Sequence, residues 1–145
     1  MRADPQLIHG TAVAVEGAGL LITGASGAGK SSLAVQLIAL GAGLIADDRV
    51  LVSKDGGAVT LSRPAGLPEA IEVRGLGLLA APMVKSVPLR AIVDLDLTET
   101  ARLPAARHRR IAGVDVKLIA NAPSPHFPSA LLLYLRDGIA SGLHQ

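Results

Sequence analysis

From Leu7 to Val15 the chain is a run of β-branched and small apolar residues, broken by Glu16-Gly17-Ala18-Gly19 and resumed from Gly19 to Thr23. That pattern predicts two strands joined as a hairpin. The period then changes. Between Ser32 and Leu40, residues Leu33, Leu37 and Leu40 fall on one helical side with Ala34 and Ile38 beside them, and Gly41 stands where a left-handed residue ends a helix. Gly43 to Ala46 predicts a short buried strand delivering Asp47-Asp48-Arg49 at its end. Val50 to Ser53 and Ala58 to Leu61 flank Asp55-Gly56-Gly57, a second hairpin. Ile71 to Arg74 alternates and runs into Gly75-Leu76-Gly77; Leu89 to Leu95 and Val114 to Ala120 read as further strands. The polar stretch 96–110 predicts a helix fragment and an exposed loop, and Ser129 to Asp137 an amphipathic closing helix. Strands outnumber helices and several are hairpin-connected. The expectation is an α/β fold with a mixed sheet and one central helix, not an alternating doubly wound sheet.

Composition narrows the classes. The 145 residues suffice for one domain with a sizeable core, and residues 1–145 are read as a single domain. Half are apolar, but only Phe127 and Tyr134 are aromatic, so the core is aliphatic and no base-stacking platform for single-stranded nucleic acid is present. The chain has no cysteine, which removes disulfides and thiolate metal sites and suits a reducing compartment. Met1-Arg2-Ala3-Asp4-Pro5 lacks the apolar core of a leader, and the charge-free run 31–46 is short and Gly-interrupted. A cytoplasmic protein with no membrane and no nucleic-acid partner is expected. The net charge is only +2, with one basic cluster, Arg107-His108-Arg109-Arg110, preceded by Arg102. It reads as a solvated basic loop or as a docking point for an acidic partner or phosphate.

The chemistry centres on Gly24-Ala25-Ser26-Gly27-Ala28-Gly29-Lys30-Ser31, a full G-x-x-x-x-G-K-S phosphate-binding motif between a predicted strand and a predicted helix. Its glycines let successive amides face phosphate oxygens, and the helix N-terminus adds partial positive charge. Lys30 is placed to reach the outer phosphates and Ser31 to ligate Mg²⁺.

Asp47 and Asp48 follow an apolar strand, so their side chains point to opposite sides. One can face a metal while the other faces an acceptor; a turn or a helix cap is the plainer reading. His9 sits on a predicted strand, where a structural role is the ordinary expectation. Glu72 and Arg74 share a face that is either solvated or part of a metal and phosphate site.

Four segments occur in order: Ile8-His9-Gly10, the loop 24–31, Leu44-Ile45-Ala46-Asp47-Asp48-Arg49-Val50 and Ile71-Glu72-Val73-Arg74-Gly75-Leu76-Gly77. Together they resemble the catalytic domain of the HPr kinase/phosphorylase family, closely from about Ile8 to Leu79 and more loosely beyond. The resemblance implies a phosphoenolpyruvate-carboxykinase-like fold and an ATP- and Mg²⁺-dependent protein serine kinase acting on the phosphocarrier HPr, in regulation of the phosphotransferase system. Under it, Lys30 contacts the β and γ phosphates, Ser31 and Glu72 hold the metal with Asp47, Asp48 accepts the serine proton, and His9 supports it. Arg102 matches a catalytically important arginine. The family assembles as homo-oligomers, hexamers in particular. Its usual N-terminal domain has no counterpart, which implies a short form. The basic Gly-containing loop tied to dephosphorylation is replaced by Asn121-Ala122-Pro123-Ser124-Pro125-His126-Phe127, so the resemblance implies the kinase reaction before phosphorolysis. A nucleotide-sensing module without catalysis and a small-metabolite kinase are the alternative readings.

Overall fold

The computed structural model describes residues 5–138; Met1 to Asp4, read above as lacking a leader, lie outside the described residues, as do residues 139–145. The predicted first strand is two strands, β1 (Gln6–His9) and β2 (Thr11–Val15), which belong to different parts of the sheet. The break falls at Gly10, where a larger residue would clash: a Cβ there would stand 2.7 Å from the Ile22 carbonyl oxygen. Strand β2 turns tightly at Glu16 and Gly17, both with positive φ (48° and 82°), into β3 (Ala18–Thr23). Helix α1 (Lys30–Ala39) follows, then β4 (Gly43–Ala46), β5 (Arg49–Asp55) and β6 (Ala58–Ser62). Strands β7 (Ala70–Val73) and β8 (Gly77–Ala80) form a separate two-stranded ribbon. The long β9 (Ser86–Thr98) precedes β10 (His108–Ile111), β11 (Val114–Asn121) and α2 (Phe127–Asp137).

Nine strands join one mixed sheet that curls because β9 serves two neighbourhoods. Its first residues, 86–88, pair antiparallel with β6, whereas Ala91 to Asp94 lie parallel to β3 on one side and to β11 on the other. The sheet has two packed faces. On one, Val13, Leu20, Ile22 and Val93 meet Leu33, Ala34 and Leu37 of α1 and Leu131 and Leu135 of α2. On the other, Ala12, Leu21 and Ile92 meet Val50, Val52, Leu61 and Val116. Strand periodicity sends neighbours such as Leu20 and Leu21 to opposite cores. Each fully buried Leu or Ile contributes roughly 1.5–3 kcal/mol. Aliphatic layers therefore hold the strand ends in place.

Three expectations are corrected. Leu40 is 46% exposed, because α1 ends at Ala39 and Gly41, at φ 118°, turns the chain away. The stretch 96–110 contains no helix: β9 runs on to Thr98 through an irregularity at 95–97, with Leu95 packed against one core and Leu97 against the other, and Asp96 between them masks the strand. Within the basic cluster, His108, Arg109 and Arg110 form strand β10 and not a loop, though His108 and Arg110 remain exposed as expected.

Candidate active site at the carboxyl ends of the parallel strands

Strand β3 ends at Thr23 beside Asp94 of β9, and the 24–29 loop leaves from that point into α1. In α/β sheets, ligands gather outside the carboxyl ends of the parallel strands. The loop needs glycine where it has it: Gly24, Gly27 and Gly29 take φ of 149°, 84° and 105°, a region that other residues rarely adopt. No side chain caps α1 and no acidic residue occupies its first turn, so its N-terminal amides keep their affinity for an anion.

Lys30 is buried at 9% exposure, and its Nζ donates to Gly24 O at 2.8 Å and Ala25 O at 3.1 Å. An ammonium has three donors, so one is left for a ligand. Ser31 Oγ donates to Asp47 Oδ1 at 3.0 Å, and the same oxygen accepts Thr11 Oγ1 at 3.0 Å. The second Asp47 oxygen accepts the Glu72 backbone N–H at 3.2 Å. Asp47 thus ties β2, α1 and the β7–β8 ribbon together. Thr11, fully buried, was not identified from sequence; a hydroxyl beginning an otherwise apolar strand was the available signal.

Asp48 faces elsewhere. Its Oδ1 lies 3.5 Å from His9 Nε2 and its Oδ2 3.9 Å from Arg49 Nε, with the carboxylate two-thirds exposed. The backbone explains this separation: Arg49 N–H donates to Asp47 O at 2.9 Å across Asp48, whose φ is 73°. This is a γ-turn of positive φ, a rare and strained form. The Asp48 carbonyl in turn accepts the Gly10 N–H at 3.0 Å, and the β1–β5 register sets His9 opposite Arg49.

Glu72 has an exposed side chain on β7, so its carboxylate is brought into the neighbourhood of Asp47 only through its own amide. Arg102 lies in the exposed segment between β9 and β10 and makes no hydrogen bond or ion pair with the other site residues among the described residues.

Beneath the loop stands a second acidic pair that sequence reading missed. Asp96 accepts the Ala25 N–H at 3.0 and 3.2 Å, and Asp94 accepts the Asp96 N–H at 2.9 Å and Arg109 Nη2 at 2.6 Å. Burial on its own would raise the Asp94 carboxyl, but the hydrogen bonds from Arg109 and Asp96 and the Arg109 charge together hold it below its ordinary 3.8. A cleft of ≈ 380 Å³, with Thr23, Ile8, Ile92 and Arg109 in its walls, opens on the far side of β3 and contains none of the loop.

The donor set suits a hard cation of the Mg²⁺ kind. Such an ion takes one or two carboxylates, a hydroxyl, waters and substrate phosphates, and the Ser31–Asp47 contact supplies the hydroxyl and the first carboxylate. Among the described residues no three His, Cys, Asp or Glu side chains cluster as a self-contained metal cage.

Residues 2–87 match the family model described as the HPr Serine kinase C-terminal domain. The HPr kinase/phosphorylase of Aromatoleum aromaticum is 42% identical over 123 residues, 75% of this chain and 39% of that protein. That of Bordetella pertussis is 51% identical over 78 residues, 53% of this chain and 25% of its own. That of Pelodictyon phaeoclathratiforme is 32% identical, covering 93% of this chain and 44% of its own. The chain therefore spans less than half the length of these curated relatives. Among solved structures, the Hpr(Ser) kinase/phosphatase from Coxiella burnetii superposes with a TM-score of 0.75 at 22% identity, covering 90% of this chain and 94% of that one. This likeness establishes the mixed α/β fold with its curled sheet and two helices.

Proposed function

The chain belongs to the HPr serine kinase C-terminal domain family, and from that premise we propose that it transfers the γ-phosphoryl group of ATP to a serine hydroxyl of the phosphocarrier HPr. One observation supports this above the others. Two consecutive aspartates are divided by a strained turn, Asp47 going to the loop serine and Asp48 to His9 on the open surface. Binding a nucleotide would need the first; the second suits an acceptor.

In this reading the 24–31 loop is a P-loop of the phosphoenolpyruvate-carboxykinase-like kind, and its amides with Lys30 hold the phosphates. Ser31 and Asp47, with Glu72 on the adjoining ribbon, would hold Mg²⁺. When bound, that ion neutralises phosphate charge. Asp48 takes the proton of the acceptor hydroxyl as its oxygen bonds to the γ-phosphorus, the bond to the β-phosphate oxygen breaks and ADP leaves with that electron pair. His9 orients the Asp48 carboxylate. Arg102, on the segment that leaves the same end of β9, is the candidate cation for the charge on the transferring group. The reading also includes a cytoplasmic setting and assembly of copies, hexameric in the family. No helix among the described residues is long and apolar enough to cross a membrane.

The test is incubation of the protein with labelled ATP, Mg²⁺ and HPr, beside a panel of small hydroxyl compounds. Label on an HPr serine is expected. Label on a small compound alone would make it a metabolite kinase, and ATP binding without transfer a sensing module. Phosphorolysis is checked with phosphorylated HPr and inorganic phosphate, reading pyrophosphate release.

A further inference from the structure

The second acidic pair has no part in the transfer just described, yet it touches the loop. Ala25 is exposed, but both of its backbone groups are engaged: its N–H by Asp96 and its C=O by Lys30 Nζ. Placing a carboxylate beside a phosphate site disfavours the ligand electrostatically. Its presence there calls for a compensating role, and geometry supplies one.

Gly24, just before Ala25, sits at φ 149°, where a glycine has little intrinsic preference, so a tether must select the loop's entry direction. Asp96 can reach Ala25 because β9 leaves its ladders at this point. Pairing with β3 ends at Thr23 and Asp94, and the register with β11 jumps from Asp94 opposite Ala120 to Thr98 opposite Asn121. Residues 95–97 bulge out of the sheet, and such irregularities re-aim side chains at functional sites. The Asp96 amide, freed from the ladder, is taken by Asp94 Oδ1, while the other oxygen of this buried carboxylate is held by Arg109. Arg109 arrives from β10 through its pairing with Val116 of β11.

We propose that Arg109 is a positioning residue for the phosphate loop, acting through Asp94 and Asp96 on the Ala25 peptide. The inference rests on the reading of residues 24–31 as a phosphate site, but its structural part is measurable without nucleotide. Arg109 fixes Asp94; Asp94 fixes the bulge; the bulge aims Asp96; and Asp96 fixes the peptide whose neighbouring carbonyls anchor Lys30.

The experiment is residue-resolved amide hydrogen exchange at Ala25 in the free protein, followed by ATP affinity of the same variants by titration. Arg109→Ala and Asp96→Ala should each accelerate Ala25 exchange about tenfold, as expected for losing a hydrogen bond to a charged group, although Arg109 does not contact Ala25. Arg109→Ala should weaken ATP binding by a similar factor, and Asp96→Ala by less, because it also removes the carboxylate's repulsion of the phosphates. Arg109→Lys, which restores a donor and a charge, should recover most of the protection. Arg110→Ala, on the same strand but paired with Asp115, should leave Ala25 unchanged. Arg109→Gln keeps the stem and one donor and is measured beside the alanine variant in case that variant does not fold; a roughly threefold acceleration is expected. Wild-type exchange at Ala25 in the folded Arg109 variants overturns the proposal, as does equal exchange in Arg109→Lys and Arg109→Ala. Failure of the wild-type protein to bind ATP would instead overturn the function proposed above, and the exchange data would still judge the tether.

Discussion

Asp47 and Ser31 are joined by a 3.0 Å hydrogen bond between the exit of β4 and the first turn of α1. The same carboxylate is also held by Thr11 and by the Glu72 amide, so it keeps its place if the serine hydroxyl is lost. Ser31→Ala should therefore change stability by no more than about 1 kcal/mol, the net worth of one such bond. Transfer should fall on the order of a hundred- to thousandfold, with loss of the Mg²⁺-dependent part of ATP affinity. Thermal melting and ATP titration with and without Mg²⁺ check the two halves. A variant that keeps its Mg²⁺ response would remove Ser31 from the metal site.

Asp48 gives a prediction in which stability and activity part. Its φ of 73° belongs to a strained turn that Asn tolerates and Gly adopts freely. Asp48→Asn should keep the fold and ATP binding while transfer falls by about 10² or more. Asp48→Gly should be equally inactive yet slightly more stable, by about 1 kcal/mol, since the relieved turn outweighs an exposed contact with His9. Urea unfolding beside the HPr assay measures both. A glycine variant much less stable than wild type would mean that the turn is not strained.

How far these features were legible depends on sequence distance. The loop, α1 and β4 are local, and glycine placement with apolar period announced them. Asp47 and Asp48 were visible as a pair, and the resemblance implied Ser31 beside the first and His9 beside the second, but the γ-turn that divides them leaves no residue signature beyond the aspartate itself. The contact of His9 with Asp48 depends on the β1–β5 register, and that of Asp96 with Ala25 on the parallel pairing of β3 with β9, 70 residues apart in Thr23 and Val93. Non-local pairings of this kind are not encoded in any single window. In 96–110 the exposed loop was read correctly between Thr98 and His108, but the helix fragment was not, because Asp96 and the charges after it look solvated when the partners of β9 and β10 are unknown. Arg107, Arg109 and Arg110 looked like one charged patch, but they pair separately with Glu99, Asp94 and Asp115.

The Asp94–Arg109 pair predicts a pH signature. The folded Asp94 carboxyl titrates below its ordinary 3.8, so its contribution to stability is present above that value and is lost as pH falls through the folded one. Removing Arg109 leaves a buried carboxylate dominated by desolvation. Arg109→Ala should cost about 2 kcal/mol near neutrality. The gap to wild type should close as acid protonates Asp94 in both proteins. Denaturant unfolding from pH 7 to pH 3 reads this directly, and a gap that stays constant would show that the pair carries no charge-linked stability.

Gly10 is the position where the fold and the proposed chemistry meet. It separates β1, which carries His9, from β2, which carries Thr11, and its amide donates to the carbonyl of Asp48. A methyl group there would stand 2.7 Å from the Ile22 oxygen, a backbone atom in the middle of the sheet that has no rotamer to change. Either β1 moves outward or β3 shifts, and β3 is fixed by Leu21 and Ile22, both buried on opposite faces. The movement should therefore fall on β1. Gly10→Ala is expected to cost roughly 1–3 kcal/mol, the range for overpacking. It should also draw His9 away from Asp48, lowering turnover more than ATP affinity, because the loop and Lys30 lie beyond the disturbed strand. Chemical denaturation, ATP titration and steady-state transfer to HPr on one preparation test the three parts. A loss of ATP affinity as large as the loss of turnover would place the damage in β3, and the role given to His9 would then lack support.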